Sequence, residues 1–205
     1  MSEILELARE ISDYTICGEG NVSVRVDDNS FLIKASGTSL YTLSDEDLTL
    51  CNTNGVQIEL SHKKPSIETS FHAWIMKTFP EINFIAHTHP PHTTKILCSN
   101  QVYHFANHRW FPDQIVRNGI KSCVVPYAPP GQAILKLVER HVTQFVNHEG
   151  YFPSEILQRR FQENHTETNP IARSHVRTCA CYERNRPYHC RPIMARKYRR
   201  CHFQN

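Results

Sequence analysis

The sequence predicts one α/β domain over residues 1–157, followed by a chemically different segment over residues 158–205. Three observations predict the domain. The chain of 205 residues is 40% apolar and 21% charged, as globular proteins are. Its apolar residues change between the 3.6-residue period of helices and the two-residue period of strands. Gly, Pro, Asn and Asp, which are typical of turns, separate these segments.

The first predicted elements are a helix and a hairpin. Apolar residues recur at helical spacing over residues 5–11, with charged residues between them. Apolar and polar residues then alternate over residues 22–26, and a second strand is predicted at residues 31–34, because a turn rich in Asp and Asn lies between the two. A further alternating segment, residues 56–60, follows an Asn-Gly turn and predicts another strand.

The second half of the domain continues the same alternation. Pro65 and Ser66 form a helix-start signal, and the apolar stripe after them predicts a helix from Ser66. Residues 82–89 are short and apolar and predict a buried strand. Another strand is predicted at residues 123–127, and a final helix at residues 134–145.

His87 and His89, together with Glu68, form the constellation most suited to chemistry. Residues two apart on a strand project from the same face, so both imidazoles can reach one cation. Zinc binds histidine nitrogens, and its catalytic sites combine three protein ligands with an open position. Taken alone, a His-x-His pair also fits two polar residues at the end of a strand.

Small residues in three loops predict an anion site. Asn21 follows Gly20, Ser36 precedes Gly37, and Ser66 stands at a predicted helix start. Such positions offer backbone N–H groups and hydroxyls to a phosphate. Each of them alone also fits an ordinary turn or helix cap.

Five motifs follow one another along the domain, at residues 20–25 (GNVSVR), 33–38 (IKASGT), 64–68 (KPSIE, with His72), 86–90 (AHTHP) and 125–131 (VPYAPPG). Together they resemble the class II aldolase/adducin family. That zinc-dependent group includes fuculose-phosphate and rhamnulose-phosphate aldolases and ribulose-phosphate 4-epimerase. The resemblance covers residues 3–157 and implies a three-layer α/β/α fold, a central, mostly antiparallel sheet and a homotetramer.

The resemblance also implies a role for each site residue. His87 and His89 would bind Zn²⁺, and Glu68 would be the catalytic acid/base. The substrate phosphate would be held by Asn21, Ser36, Gly37 and Ser66. The implied reaction cleaves a ketose phosphate to dihydroxyacetone phosphate and an aldehyde. An epimerase or dehydratase of the same family, and a non-catalytic adducin-like binding domain, remain open.

The segment 158–205 departs from the family pattern. Its net charge is +8, against −5 for residues 1–157, and it holds four of the eight cysteines. The family places a third zinc histidine in an apolar strand that ends in His-Gly, after the last helix. Residues 153–157 begin such a strand, but no His-Gly follows, and His165 is the nominal replacement, with His148 as an earlier candidate. The C-terminal part of the fold is therefore predicted to be incomplete, and an inactive copy of the enzyme is one interpretation.

Three interpretations of this segment stay open. A frameshift near codon 157 would explain the excess of Arg, Cys, His and Pro together with the loss of Leu and Gly, and we favour this non-native or disordered tail. The cysteines at 179, 181, 190 and 201 suggest a zinc module, although they lack paired Cys-x-x-Cys spacing. The basic run at residues 196–200 suggests a nucleic-acid arm. We do not expect nucleic acid as a partner.

The expected location is the cytoplasm. No run of 18 or more apolar residues is present, and the N-terminus lacks the basic start and apolar block of a signal peptide. The partners that the resemblance implies are a sugar phosphate and further copies of the chain, and no membrane partner is expected.

Overall fold

The computed structural model describes residues 3–58, 62–153, 155–158 and 178–183. Within these ranges the strands are β1 (Gly20–Arg25), β2 (Ser30–Lys34), β3 (Leu48–Asn52), β4 (Ile82–Thr88), β5 (Cys123–Val125), β6 (Glu155–Gln158) and β7 (Thr178–Glu183). The helices are α1 (Glu3–Ser12), α2 (Thr69–Thr78), α3 (Pro91–Leu97), α4 (Val102–Asn107), α5 (Pro112–Asn118) and α6 (Gln132–Glu149). A short 3₁₀ turn, Asp45–Asp47, leads into β3.

All of these strands belong to one sheet, in the order β3-β2-β1-β4-β7-β6-β5. Every neighbouring pair is antiparallel except β5 and β6, which are parallel. The pairs β2–β3 and β1–β2 follow one another as a meander, and β4 then returns to lie beside β1. The predicted α/β fold with a central, mostly antiparallel sheet is thus confirmed.

Helices cover both faces of the sheet, because the side chains of each strand alternate between the faces. On one face Ile33 and Ile85 are fully buried in the main core, which α2 and α6 complete. On the other face Val22 and Phe84 are buried against α1 in a second core. The result is the three-layer arrangement that the sequence predicted.

The last helix is the clearest case in which local sequence determines structure. Ile134, Val138 and Val142 recur every four residues along α6, and all three are buried. Gly150 follows the helix in the left-handed conformation, with φ of 78°, and ends it.

None of the helices in the described ranges combines the length and the apolar character that crossing a membrane requires.

The strand predicted at residues 56–60 is wrong over its described part. Gln57 forms only an isolated bridge to Cys51, while Val56 and Ile58 are 59% and 53% exposed. The strand beside β2 is β3, which had no prediction and whose Thr49 and Cys51 are buried. In β3 a polar Thr occupies one of the buried positions, so the sequence shows no alternation of apolar and polar residues there. Residues 56–58 do show that alternation, but their apolar side chains are exposed and do not pack on the sheet.

Helix boundaries and short helices also differ from the sequence prediction. The helix expected from Ser66 begins at Thr69, because the Thr69 amide donates to the Ser66 carbonyl in a preceding turn at 3.0 Å. The helices α3, α4 and α5 had no prediction, since each has only six or seven residues and no complete apolar period.

The strand β7 comes from the segment 158–205. It pairs with β4 on one side and β6 on the other, and Cys179 is the register partner of His87. His165, the cysteines at 190 and 201 and the basic run at residues 196–200 lie outside the described residues. The predicted end of the domain at residue 157 falls within β6.

The main chains of β1 and β4 come very close at Gly20. This residue is paired with Thr88 and has φ of 121°, which side chains rarely allow. A Cβ atom at Gly20 would overlap the carbonyl oxygen of His87. The register of the two central strands therefore requires glycine here.

We predict that Gly20→Ala lowers the free energy of unfolding by about 3 kcal/mol or more, the range of core strain and overpacking. Gly150→Ala is the matched control, because Gly150 also has positive φ but no atom lies within 4 Å of its Cβ position. The control is expected to lose only about 1–2 kcal/mol. Urea unfolding measures both, and equal losses would contradict the close approach.

Candidate active site

The central ladder places the polar site residues opposite one another. Asn21 on β1 is the register partner of His87 on β4. Glu68 directly precedes α2, which packs over the same face of the sheet. Asn21, Glu68, His87 and His89 are each less than 7% exposed, so the site is almost removed from solvent.

The two predicted metal ligands converge. Nε2 of His87 lies 3.1 Å from Nε2 of His89. Their rings meet edge to face, with centroids 5.2 Å apart. The two imidazoles therefore present one nitrogen each to a common point, as residues two apart at the end of one strand can do.

A carboxylate stands at the other nitrogen of each ring. Oε2 of Glu68 lies 2.7 Å from Nδ1 of His87. Oε2 of Glu19 lies 3.0 Å from Nδ1 of His89. No motif in the sequence points to Glu19, because this residue lies in a glycine-rich break that predicts only a turn.

Asn21 fixes the Glu68 carboxylate and keeps a further acceptor. Its Nδ2 donates to Oε2 of Glu68 at 2.9 Å, which identifies the nitrogen end of the amide. Its Oδ1 is buried and has no hydrogen-bond partner among the described residues. A buried acceptor of this kind can receive a hydrogen bond from a ligand hydroxyl.

The donor set fits a metal ion at two ligand positions. Two nitrogens bound tetrahedrally to one zinc ion at 2.0–2.1 Å would be roughly 3.3–3.4 Å apart, close to the observed separation. Imidazoles whose outer nitrogens face carboxylates are also the usual form of metal-binding histidine. Within the described ranges, no cluster of three or more His, Cys, Asp or Glu side chains has metal-binding geometry. His165, the predicted third ligand, is outside those ranges.

The two loops predicted to bind phosphate lie side by side. The Ser36 amide donates to the Lys64 carbonyl at 2.9 Å, and the Ser66 amide donates to the Lys34 carbonyl at 3.2 Å. The Ser66 hydroxyl accepts from the Glu68 amide at 3.3 Å, which joins this pair of loops to Glu68. Gly37 is exposed, with φ of 78° and open space around its Cβ position.

Lys34 is buried under the loop that contains Ser36 and is hydrogen-bonded to that loop. It is only 5% exposed, and its Nζ donates to the carbonyls of Ala35 and Thr38 and to the Thr38 hydroxyl. Burial lowers the pKa of Lys34 to about 8, and the carboxylate of Asp47 opposes this change. These hydrogen bonds from Lys34 therefore stabilise the conformation of the loop.

His72 belongs to one of the family motifs but not to the polar cluster around His87. It is fully buried on α2, and its Nδ1 lies 2.7 Å from the Ser23 hydroxyl on β1. Burial, followed by the proximity of His87, holds the pKa of His72 well below its usual value. A neutral His72 thus connects the helix that follows Glu68 to the strand that carries Asn21.

Sequence comparison identifies a family for most of the chain. Residues 2–152 match the family described as Class II Aldolase and Adducin N-terminal domain. The 3-oxo-tetronate 4-phosphate decarboxylase of Haemophilus influenzae is 39% identical over 119 residues, which cover 58% of this chain and 55% of the relative. The methylthioribulose-1-phosphate dehydratase of Microcystis aeruginosa is 42% identical over 72 residues, or 34% of this chain and 35% of the relative.

Structure comparison agrees at the level of fold. The crystal structure of a sugar-phosphate aldolase from Thermotoga maritima superposes with a TM-score of 0.64 at 18% identity. The superposition covers 87% of this chain and 82% of that one. In contrast, the matched part of the chain spans only about half the length of the Haemophilus relative, at 55%.

We predict that the free energy of unfolding rises with pH between about pH 7.5 and 9 more steeply in the parent than in Lys34→Met. The native lysine loses its proton near its lowered pKa of about 8, whereas the unfolded lysine keeps its proton up to the ordinary lysine pKa of 10.5. The unfolded state therefore binds more protons in this range, and stability increases with pH.

Urea unfolding at several pH values measures this difference in slope, with the exposed Lys95→Met as the control. Burial raises the pKa of Cys123 to about 12, which lowers stability towards high pH equally in all three proteins. Parallel stability curves for the parent and Lys34→Met would contradict the prediction.

Proposed function

Because the chain belongs to the family of class II aldolase and adducin N-terminal domains, we propose that it is a metal-dependent lyase acting on a sugar phosphate. The observation that carries the proposal is the convergence of the His87 and His89 nitrogens at 3.1 Å beside the buried carboxylate of Glu68. The homotetramer implied by the family resemblance and the cytoplasmic location expected from the sequence form part of the same proposal.

His87 and His89 would hold a zinc ion, and His165 would be the third ligand if the segment beyond residue 157 is genuine. The bound ion would supply Lewis acidity towards the carbonyl oxygen of the substrate. The histidine pair is buried, so little water competes for this position. The His89 ring keeps its orientation through the hydrogen bond to Glu19, and the Glu68 carboxylate lies 2.7 Å from Nδ1 of His87.

Glu68 would be the acid/base that moves a proton to or from a substrate hydroxyl or carbon. Asn21 holds its Oε2 by a hydrogen bond at 2.9 Å, so the carboxylate keeps one orientation. The acceptor Oδ1 of Asn21 would orient a substrate hydroxyl next to it. A general acid/base placed in this way contributes roughly 10²–10⁴-fold to rate.

Ser36, Gly37 and Ser66, together with Asn21, would bind the substrate phosphate. The available donors are the serine hydroxyls, the exposed Gly37 main chain and the second N–H of the Asn21 amide, whose first N–H donates to Glu68. The main-chain amides of Ser36 and Ser66 already donate to protein carbonyls. The hydrogen bond between the Ser66 hydroxyl and the Glu68 amide would couple phosphate binding to the position of the acid/base.

The specific reaction we propose is aldol cleavage of a ketose phosphate to dihydroxyacetone phosphate and an aldehyde. Decarboxylation of a phosphorylated 3-oxo acid is the second candidate, supported by the 39% identity to the Haemophilus decarboxylase. Both reactions break a carbon–carbon bond next to a carbonyl and leave negative charge that the carbonyl oxygen takes up. They differ in whether Glu68 must first remove a hydroxyl proton, which only aldol cleavage requires.

We predict turnover of one substrate from a panel of L-fuculose 1-phosphate, 3-oxo-tetronate 4-phosphate and methylthioribulose 1-phosphate with added Zn²⁺. Product analysis distinguishes an aldehyde, carbon dioxide and water as the group released. With Zn²⁺ added to saturation, Glu68→Gln is expected to lower kcat roughly 10²–10⁴-fold. Saturation is needed because Glu68 also lies 2.7 Å from Nδ1 of His87, so the change is expected to weaken metal binding as well. The control is Glu46→Gln, a change at an exposed residue of the 3₁₀ turn.

Unchanged turnover in Glu68→Gln would contradict the assigned acid/base. If the full chain binds zinc but none of the three substrates reacts, a non-catalytic binding domain becomes the better description. The zinc content of parent and variant, measured on the same preparations, separates these outcomes from simple unfolding.

We also propose that the segment beyond residue 157 arises from a shift of reading frame. Its support is compositional: ten arginines and four cysteines, but no leucine or glycine, fall within residues 158–205. Resequencing codons 145–175 and translating all three frames is the test. We predict that another frame encodes an apolar strand ending in His-Gly, and its absence from every frame would show that the segment is genuine.

A further inference from the structure

Glu19 occupies a defined position beside the proposed metal ligands. It stands between Gly18 and Gly20, both with positive φ, and two residues before Asn21 on β1. Its Oε2 lies 3.0 Å from Nδ1 of His89, on the side of the ring away from His87. The side chain of Glu19 is 38% exposed, whereas that of His89 is 8% exposed.

We propose that Glu19 is a positioning residue that orients His89 for metal binding. Its carboxylate accepts the Nδ1–H of the imidazole, so the proton resides on Nδ1 and the lone pair on Nε2 is available to a cation. This inference rests on the metal site of the proposed function. Glu19 lies outside the five sequence motifs, so none of them identified its carboxylate as part of the site.

The choice of tautomer follows from hydrogen-bond chemistry. A neutral imidazole carries one N–H, and the nitrogen that faces a carboxylate keeps it, because a carboxylate can only accept. The remaining nitrogen then becomes the metal ligand, and an outer-shell carboxylate also raises its basicity. Without an acceptor at Nδ1, the proton of His89 could equally occupy Nε2 and block the metal.

The loop around Glu19 is fixed at both ends. A Cβ atom at Gly18 would overlap the side chains of Ser39 and Tyr41, and one at Gly20 would overlap the His87 carbonyl. The Leu40 amide also donates to the Gly18 carbonyl at 3.0 Å. The main chain that carries Glu19 is therefore held tightly, which favours a lasting contact with His89 over a transient surface pair.

The test measures metal affinity of the full chain, with the protein stripped by a chelator and titrated with Zn²⁺ and with Co²⁺. Glu19→Ala is expected to weaken binding roughly 10–100-fold, the usual effect of removing an outer-shell partner. Glu19→Gln retains an oxygen acceptor for Nδ1–H and is expected to fall between the parent and Glu19→Ala. His89→Ala, which removes the ligand itself, is expected to lose more than either.

Two readouts separate positioning from general stability. The visible absorption of bound Co²⁺ reports coordination geometry, and we expect it to change in Glu19→Ala and to recover in Glu19→Gln. Thermal unfolding of the metal-free proteins is expected to be the same in the parent, both Glu19 variants and the control Glu10→Gln, an exposed change on α1. The control is also expected to bind both metals like the parent.

The outcomes that overturn the inference are distinct from those that overturn the proposed function. If Glu19→Ala binds metal with the affinity of the parent, the contact between Glu19 and His89 is only a surface pair and the inference is wrong. The proposed metal site would not be affected by that result. A loss in Glu19→Gln as large as in Glu19→Ala would show that the carboxylate acts by its charge or as a direct ligand. Failure of the parent to bind either metal would overturn both proposals.

Discussion

The antiparallel pairing of β1 with β4 is the constraint on which the rest of the structure depends. It sets Asn21 opposite His87, and it requires glycine at position 20 because the two main chains almost touch there. Arg25, at the far end of β1, donates to the carbonyls of Met76, Phe79 and Ile82 and so ties the end of α2 to the start of β4. Strand register, helix position and site geometry are thereby fixed together.

A continuous polar path crosses this ladder. Asn21 contacts Glu68, Glu68 contacts His87, and His87 faces His89, which contacts Glu19. Most of the path is buried, where carboxylates are costly unless matched by hydrogen bonds or by positive charge. A divalent cation between the two imidazoles would supply that positive charge. The free-energy cost of burying these carboxylates would therefore be lower with a metal ion bound than in a purely structural network.

The same site geometry is compatible with several reactions on phosphorylated sugars. The relatives include a decarboxylase and a dehydratase, and the sugar-phosphate aldolase from Thermotoga maritima shares the fold. In each proposed case a buried acid/base beside the two histidines acts on atoms next to a carbonyl. Which bond breaks would then depend on the substrate held against the Ser36 and Ser66 loops, and not on a different catalytic core.

The sequence by itself determined the fold class, the last helix and the five motifs that contain His87, His89 and Glu68. These features depend on periodicity and short spacing, which are local and can be read along the chain. Only the tertiary structure decided that β3 lies beside β2, that residues 56–58 form no strand, and that Glu19 contacts His89, 70 residues away. Burial and strand register arise from contacts between distant segments, and no local pattern encodes them.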